Sequence, residues 1–234
     1  MLKIDPNPKA TFFIYTVLYH EATVITLLEI VLYHQSCCDA LGDASIDLID
    51  YCVQAITNLI GLVHMNHHET MDIYDKESKM SELDRQQKDL EYKIGIKCIT
   101  ILNYIIDKLN ILPISICNRL IKVHDVPCLL SEILHIKPWL RKVTQHEKFI
   151  GKTLSRKKTF CNLNSCVLGE KWVKLTAENF LQITKTEAQA WFSFRQLLFN
   201  QYVTQNYSIN EFRQREIAKV NYLFKIMYFL NFHC

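Results

Sequence analysis

Helical periodicity is the strongest pattern along the chain. Between residues 11 and 34, Phe13, Val17, Val24, Leu28 and Val31 fall within an arc of roughly 60° at 100° per residue, which predicts a long helix buried along that line. In the next helix, ending near Val63, Ile46, Ile49, Val53, Ile56, Ile60 and Val63 alternate three and four apart. Asp47, Asp50, Gln54 and Gly61 lie opposite them, and Asp43 or Ser45 can cap the start. A third, long helix begins near Ser81, with Ser81 or Asp84 as cap. It carries Leu83, Leu90, Ile94, Ile101 and Ile105, and stops before Asn110 and Pro113. A short helix over 114–123 follows. Asp125-Val126-Pro127 then opens another, with proline in the first turn where it is tolerated, and Pro138 closes it. Two more helices are expected over 184–200 and 209–232.

The intervening stretches lack a period. Residues 1–10, with Asp5, Pro6, Asn7 and Pro8, read as an extended lead-in, and 35–42 as a short connection. Residues 64–80 read as a polar loop, and 141–171 as a basic irregular loop or a gene-model insertion. Paired helices with short links and no βαβ alternation predict an all-α chain: a single helical-repeat region over 1–234, an armadillo- or HEAT-like α-solenoid fragment. No clean sequence period accompanies it.

Several runs of residues also carry a family resemblance. They are Ile14-Tyr15, Tyr19-His20-Glu21-Ala22, Leu27-Leu28-Glu29 and Asp47-Leu48-Ile49-Asp50-Tyr51-Cys52, then His124-Asp125-Val126-Pro127-Cys128-Leu129-Leu130 and Pro138-Trp139, and more weakly Gln189-Ala190-Trp191. In this order they resemble the central helical region of the zinc finger MYND domain-containing protein 10 family. The resemblance implies a cytoplasmic, co-chaperone-like factor needed to preassemble the axonemal dynein arms of motile cilia, acting in the cytoplasm, near centriolar satellites or at the base of cilia. It also implies protein partners: heat-shock chaperones, an immunophilin co-chaperone, a leucine-rich-repeat dynein assembly factor with a β-sandwich domain, and dynein chains. In the family a second Trp follows Pro138-Trp139 after a short gap. Trp172 is its natural counterpart, and Glu147-Lys148-Phe149 resembles Glu170-Lys171-Trp172 across the longer gap here. Family members are longer at both ends, so the chain is expected to be a fragmentary gene product.

Composition narrows the function classes. Apolar residues make up 49%, enough for a sizeable core, and five Gly with five Pro leave little for β-turns. A net charge of +3, with Lys and Arg interspersed among Asp and Glu, is too small to imply nucleic acid. Nine Cys at irregular spacing, with no secretory signal, read as buried thiols of a soluble, intracellular protein. His20, Glu21 and Glu29 interrupt the best apolar run, so no membrane span is expected.

Candidate chemistry is sparse. A MYND finger needs closely spaced Cys and His pairs for two tetrahedral sites, and the chain has no Cys-x-x-Cys. Cys161 and Cys166 are too far apart and Cys37 and Cys38 too close. His64, His67 and His68 with Glu69 read as a solvated cluster, and His34 with Cys37 and Cys38 as a helix terminus. Gly151-Lys152-Thr153 lacks the earlier Gly of a phosphate loop, whose place His146 takes. Cys52, Cys98 and Cys128 lie on apolar helix faces, where a thiolate is disfavoured. His20 and Glu21 are neighbours on a helix and point about 100° apart, so inter-helix polar contacts are expected of them. Lys152, Arg156, Lys157 and Lys158 form a basic cluster between Phe149 and Phe160. Trp139, Trp172, Trp191, Phe192 and Phe194 are expected mainly in the core. The expectation is therefore a non-enzymatic protein-interaction scaffold with no catalytic, metal or cofactor residues. The alternatives are an RNA-binding helical repeat using the basic loop, or a cryptic enzyme around His20, Glu21 and Glu29.

Overall fold

A computed structural model describes residues 11–68, 79–142, 164–168, 171–174 and 184–220. The described chain is dominated by helices: α1 (Thr11–Leu32), α2 (Gln35–Leu41), α3 (Ala44–His68), α4 (Lys79–Asp107), α5 (Ile114–Asn118) and α6 (Val126–Ile136). Helices α7 (Lys185–Phe199), α8 (Gln201–Asn206) and α9 (211–220) follow a small sheet. Helix α5 runs directly into a π-helical turn, Arg119–Val123.

The packing centres on α4, against which α1, α3 and α7 all lie. Its sequence demands this, because Cys98, Ile99, Ile101, Leu102, Ile105 and Ile106 spread over an arc of roughly 160° of the helix, too wide for one neighbour to cover, and all are buried. The apolar stripe of α3 is buried as its spacing predicts, with Ile49, Val53, Ile56 and Ile60 in the core and Ile46 and Val63 half-buried. The predicted stripe of α4 behaves likewise at Leu90, Ile94, Ile101 and Ile105. Helices α3 and α4 approach closely at Gly95, where an added Cβ would lie 2.7 Å from the Cβ of Leu59 and 3.3 Å from the carbonyl oxygen of Ala55.

Helix α1 turns a different side inward from the one its sequence suggests. Phe13 and Val17 are 68% and 60% exposed, and Val24 and Val31 are exposed too. Ile25 and Leu32 are buried instead, flanked by Ala22 and Leu28. Apolar residues surround this helix, so periodicity cannot select a face. Its carboxylates can: Glu21 accepts a hydrogen bond from Tyr51 on α3 (2.6 Å), and Glu29 pairs with Lys97 on α4 (2.6 Å). By length and composition, Tyr15–Leu32 and Ala44–His64 reach the threshold for crossing a bilayer. Glu21 and Glu29 are nonetheless in polar contact with neighbouring helices, as is Asp50 on α3.

Other boundaries shift as well. The 35–42 connection contains α2, with Cys38 buried, and ends at Gly42 in the left-handed region (φ 47°) that glycine adopts without penalty. The 64–80 loop is shorter than expected, since α3 continues to His68 and α4 begins at Lys79. Periodicity reports burial rather than helicity: His64 is exposed, and no Gly or Pro interrupts 64–68. The 141–171 stretch is not wholly irregular. Strands β1 (Leu140–Lys142), β2 (Asn164–Leu168) and β3 (Lys171–Lys174) form an antiparallel sheet in that order, with Leu140 opposite Cys166 and Val167 opposite Trp172. Strands this short show no sustained alternation. The signal available was the Gly169-Glu170 pair between β2 and β3, a Gly-x pair of the kind favoured in two-residue hairpin loops. The lead-in over 1–10 lies outside the described residues.

Two glycine substitutions in equivalent helical settings are expected to have opposite signs. Gly61→Ala meets nothing within 4 Å and should stabilise by about 0.5–1 kcal/mol through helix propensity. Gly95→Ala should lower stability by about 1–2 kcal/mol, because the clash with Leu59 outweighs the same propensity gain. Urea unfolding of the two variants reads both signs.

Candidate functional site

Three carboxylates tie the helices together. Asp50, half-buried on α3, accepts from the Arg119 guanidinium through Nε (2.7 Å) and Nη2, and lies 2.6 Å from Nε2 of His124. Arg119 opens the π-helical turn and His124 follows it, so the widened turn brings both to one carboxylate. The Arg119 hydrogen bond, followed by the His124 contact, holds the Asp50 carboxyl at about 2 against the opposing effect of burial.

Asp125 is the next residue and stands at φ 48°, ψ 49°, a left-handed conformation that Asp tolerates better than most side chains. From there its carboxylate accepts from the Tyr207 hydroxyl (2.5 Å) and from Arg213 Nε (2.8 Å). Arg213 also covers the Tyr207 ring, at 4.6 Å from its centroid, and donates to the Ser208 carbonyl oxygen. Burial first, then the Asp125 hydrogen bond, pushes the Tyr207 hydroxyl far up, so it stays a neutral donor. One backbone step thus links α3 to the segment after α8.

The third carboxylate, Glu187, is buried at the start of α7. It accepts from Trp139 Nε1 (3.1 Å) and pairs with Lys137 Nζ (3.1 Å), while Tyr92 donates to the Pro138 carbonyl oxygen (2.6 Å). Thr184 caps α7 by accepting from the Glu187 amide. Trp139 is fully buried by these contacts.

Two clefts open beside α1. One, of about 410 Å³, is lined by Leu32, Tyr33, Asn103, Tyr104, Asp107, Lys108, Phe192 and Gln196. Tyr33 meets Tyr104 edge to face at 6.1 Å, and Asp107 accepts from both Lys108 and Gln196. Those hydrogen bonds, Lys108 first, hold the Asp107 carboxyl below the ordinary carboxylate range. The other cleft, of about 310 Å³, lies between α1 and α4 and is lined by Ala22, Thr23, Thr26, Leu27, Leu90, Lys93, Ile94 and Lys97.

The residues weighed for chemistry are scattered. His20 is exposed and Glu21 bonds to Tyr51, so the two diverge as their helical directions predict. Cys52 and Cys98 are fully buried. A hydrogen bond with Cys52, then burial, pushes the Cys98 thiol up. Burial raises the Cys128 thiol, which lies 3.5 Å from the Tyr207 hydroxyl. His34 is exposed at the start of α2, whereas Cys38 is buried and donates to the Leu32 carbonyl oxygen. His64 is exposed, 3.9 Å from Glu132. His67 and His68 lie on the last turn of α3, and Glu69 lies outside the described residues. Among the described residues no group of three or more His, Cys, Asp or Glu is placed to hold a metal ion.

Cys161, Gly151-Lys152-Thr153 and the basic residues Lys152, Arg156, Lys157 and Lys158 lie outside the described residues. Cys166 is on β2 and Trp172 on β3. Trp139 and Phe194 are core residues and Trp191 is half-buried, but Phe192 is 61% exposed at the larger cleft.

No protein-family model matches the chain, and no solved structure matches it. A curated relative does. The zinc finger MYND domain-containing protein 10 homolog of Drosophila melanogaster is 44% identical over 222 residues, which is 94% of this chain and 45% of that relative. Over that span, the chain belongs to the zinc finger MYND domain-containing protein 10 family. It spans less than half the length of the curated relative it matches. The runs that resemble zinc finger MYND domain-containing protein 10 coincide with the polar ties. Asp47–Cys52 supplies Asp50 and Tyr51, and His124–Leu130 supplies His124, Asp125 and Cys128. Pro138-Trp139 meets Tyr92 and Glu187, and Gln189 accepts from Thr100 on α4 (2.9 Å).

Sequence reasoning missed the convergence on Asp50 and Asp125. The available signals were the acidic pair beside an apolar stripe and the His-Asp preceding Val-Pro. Because the folded Asp50 carboxyl lies below its unfolded value near 3.8, its stabilisation is complete above about pH 4 and is lost as pH falls toward 2. Asp50→Asn should therefore flatten the decline of Tm over that acid range. Thermal melts of both chains at matched pH give the comparison.

Proposed function

We propose that the chain is a non-enzymatic protein-interaction scaffold of co-chaperone type, acting in the cytoplasmic preassembly of axonemal dynein arms for motile cilia. The observation that carries this reading is the 44% identity over 94% of the chain. The partners by kinship are heat-shock chaperones, an immunophilin co-chaperone, a leucine-rich-repeat assembly factor and dynein chains, met in the cytoplasm near centriolar satellites or the base of cilia. We read the packed helices as one segment of an armadillo- or HEAT-like scaffold.

Physical support comes from the surface. Helices tied to α4 present open clefts between them, the setting in which a partner's helix or extended segment docks. Tyr33 and Phe192 stand exposed at the larger cleft, and aromatic side chains of this kind serve as interface anchors.

The test is affinity purification of the tagged chain from ciliated cells, with the bound proteins identified by mass spectrometry. Chaperones and dynein chains should be enriched over an unrelated helical protein, and Phe192→Glu should reduce that recovery several-fold. Recovery no better than from the control protein contradicts the proposal.

A further inference from the structure

The larger cleft gathers aromatic rings around one open carboxylate. Tyr33, just past α1, is 71% exposed and meets Tyr104 of α4 edge to face, and Phe192 stands exposed on α7. Asp107, the last residue of α4, lines the same cleft.

Charge there is uneven. Lys108 is the one cation among the lining residues, and its ammonium is spent on Asp107 at 2.8 Å. The lysine side chain is 25% exposed and the carboxylate 48%, so the charge that faces solvent is chiefly negative. Asp39 on α2 acts on the same ammonium, which sets two carboxylates against one cation. An ionised carboxylate offers about four acceptor sites. Lys108 takes one and Gln196 Nε2 another, at 2.9 Å, so acceptor capacity remains on a group that is half open to water.

We propose that this cleft receives an arginine side chain of the docking segment, its guanidinium forked onto Asp107 and its plane laid against the exposed ring of Phe192. The proposal rests on the reading of the cleft as a docking site and adds the chemistry it selects. Desolvation decides the occupant. Any segment that closes the cleft takes Asp107 partly out of water, and an apolar or acidic side chain placed there leaves the carboxylate uncompensated. A guanidinium compensates it with two charge-assisted hydrogen bonds, and its weakly hydrated plane stacks on aromatic rings. The ammonium of a lysine offers neither the fork nor the plane. A phosphate or carboxylate meets only a cation already paired.

The probe is a blocked pentapeptide with one arginine among glycines, titrated into the full isotope-labelled chain and followed by nuclear magnetic resonance. The side-chain amides of Asn103 and Gln196 should shift saturably with Kd on the order of 1 mM, the strength that one exposed cation–π contact and one charge-assisted fork allow. The same peptide with citrulline, equal in shape and uncharged, should bind about tenfold more weakly, and Asp107→Asn should cost the arginine peptide a similar factor. Phe192→Leu, which keeps apolar surface and removes the ring, should cost roughly threefold. Phe212→Leu, at an exposed ring that does not line the cleft, should leave affinity unchanged. All variants are compared at matching helical circular dichroism. Equal binding of the two peptides, or binding indifferent to Asp107→Asn, overturns the proposal. No binding at roughly 10 mM arginine peptide overturns it too. If Phe192→Glu then still lowers recovery from ciliated cells, the docking reading survives without this chemistry. Arginine-selective binding by a chain that recovers neither chaperones nor dynein chains upholds the site and contradicts the proposed function alone.

Discussion

Everything in the structure depends on covering α4. Its second half turns an apolar arc of roughly 160° inward, and each buried Ile or Leu there contributes about 1.5–3 kcal/mol only when removed from water. No single neighbour can do this. Helices α1, α3 and α7 must surround it, and the absence of a side chain at Gly95 lets α3 come close enough to seal one side. Helices from distant parts of the chain are thereby obliged to meet.

Hydrophobic burial is non-directional, and the carboxylates supply direction. Glu21 and Glu29 choose which face of α1 turns inward, because Tyr51 and Lys97 await them on α3 and α4. Asp50, Asp125 and Glu187 then hold the π-helical turn, the last described segment and the start of α7 in register. Each accepts from a cationic side chain and from at least one further group, so removing one partner leaves a carboxylate partly stranded. The runs that carry the family resemblance include these ties, and there they specify how helices meet.

Legibility in the sequence followed the contrast between polar and apolar positions. The stripes of α3 and of α4 could be read because polar residues such as Asp47 and Gln54 mark the opposite side. Helix α1 offers little contrast, so its helicity was evident and its orientation was not. The same limit hid α2, whose seven residues are too few for a period, and the sheet, whose strands are shorter still. Asp50 lies opposite an apolar stripe and reads as solvent-facing. Its partners are 69 and 74 residues away, and local spacing carries no trace of so distant a contact. Kinship was legible for a different reason, since ordered runs of residues survive where pairwise contacts cannot be seen.

Native-state hydrogen exchange tests the hub role of α4 most directly. Amides from Cys98 to Ile106, packed beneath α1, α3 and α7, should exchange only through the highest-energy openings of the molecule, together with those around Ile56 on α3. Those of α1, covered on one face, should exchange by smaller openings. Protection in α4 no greater than in α1 would contradict the account, because the helix that others were thought to enclose would then open as easily as its cover.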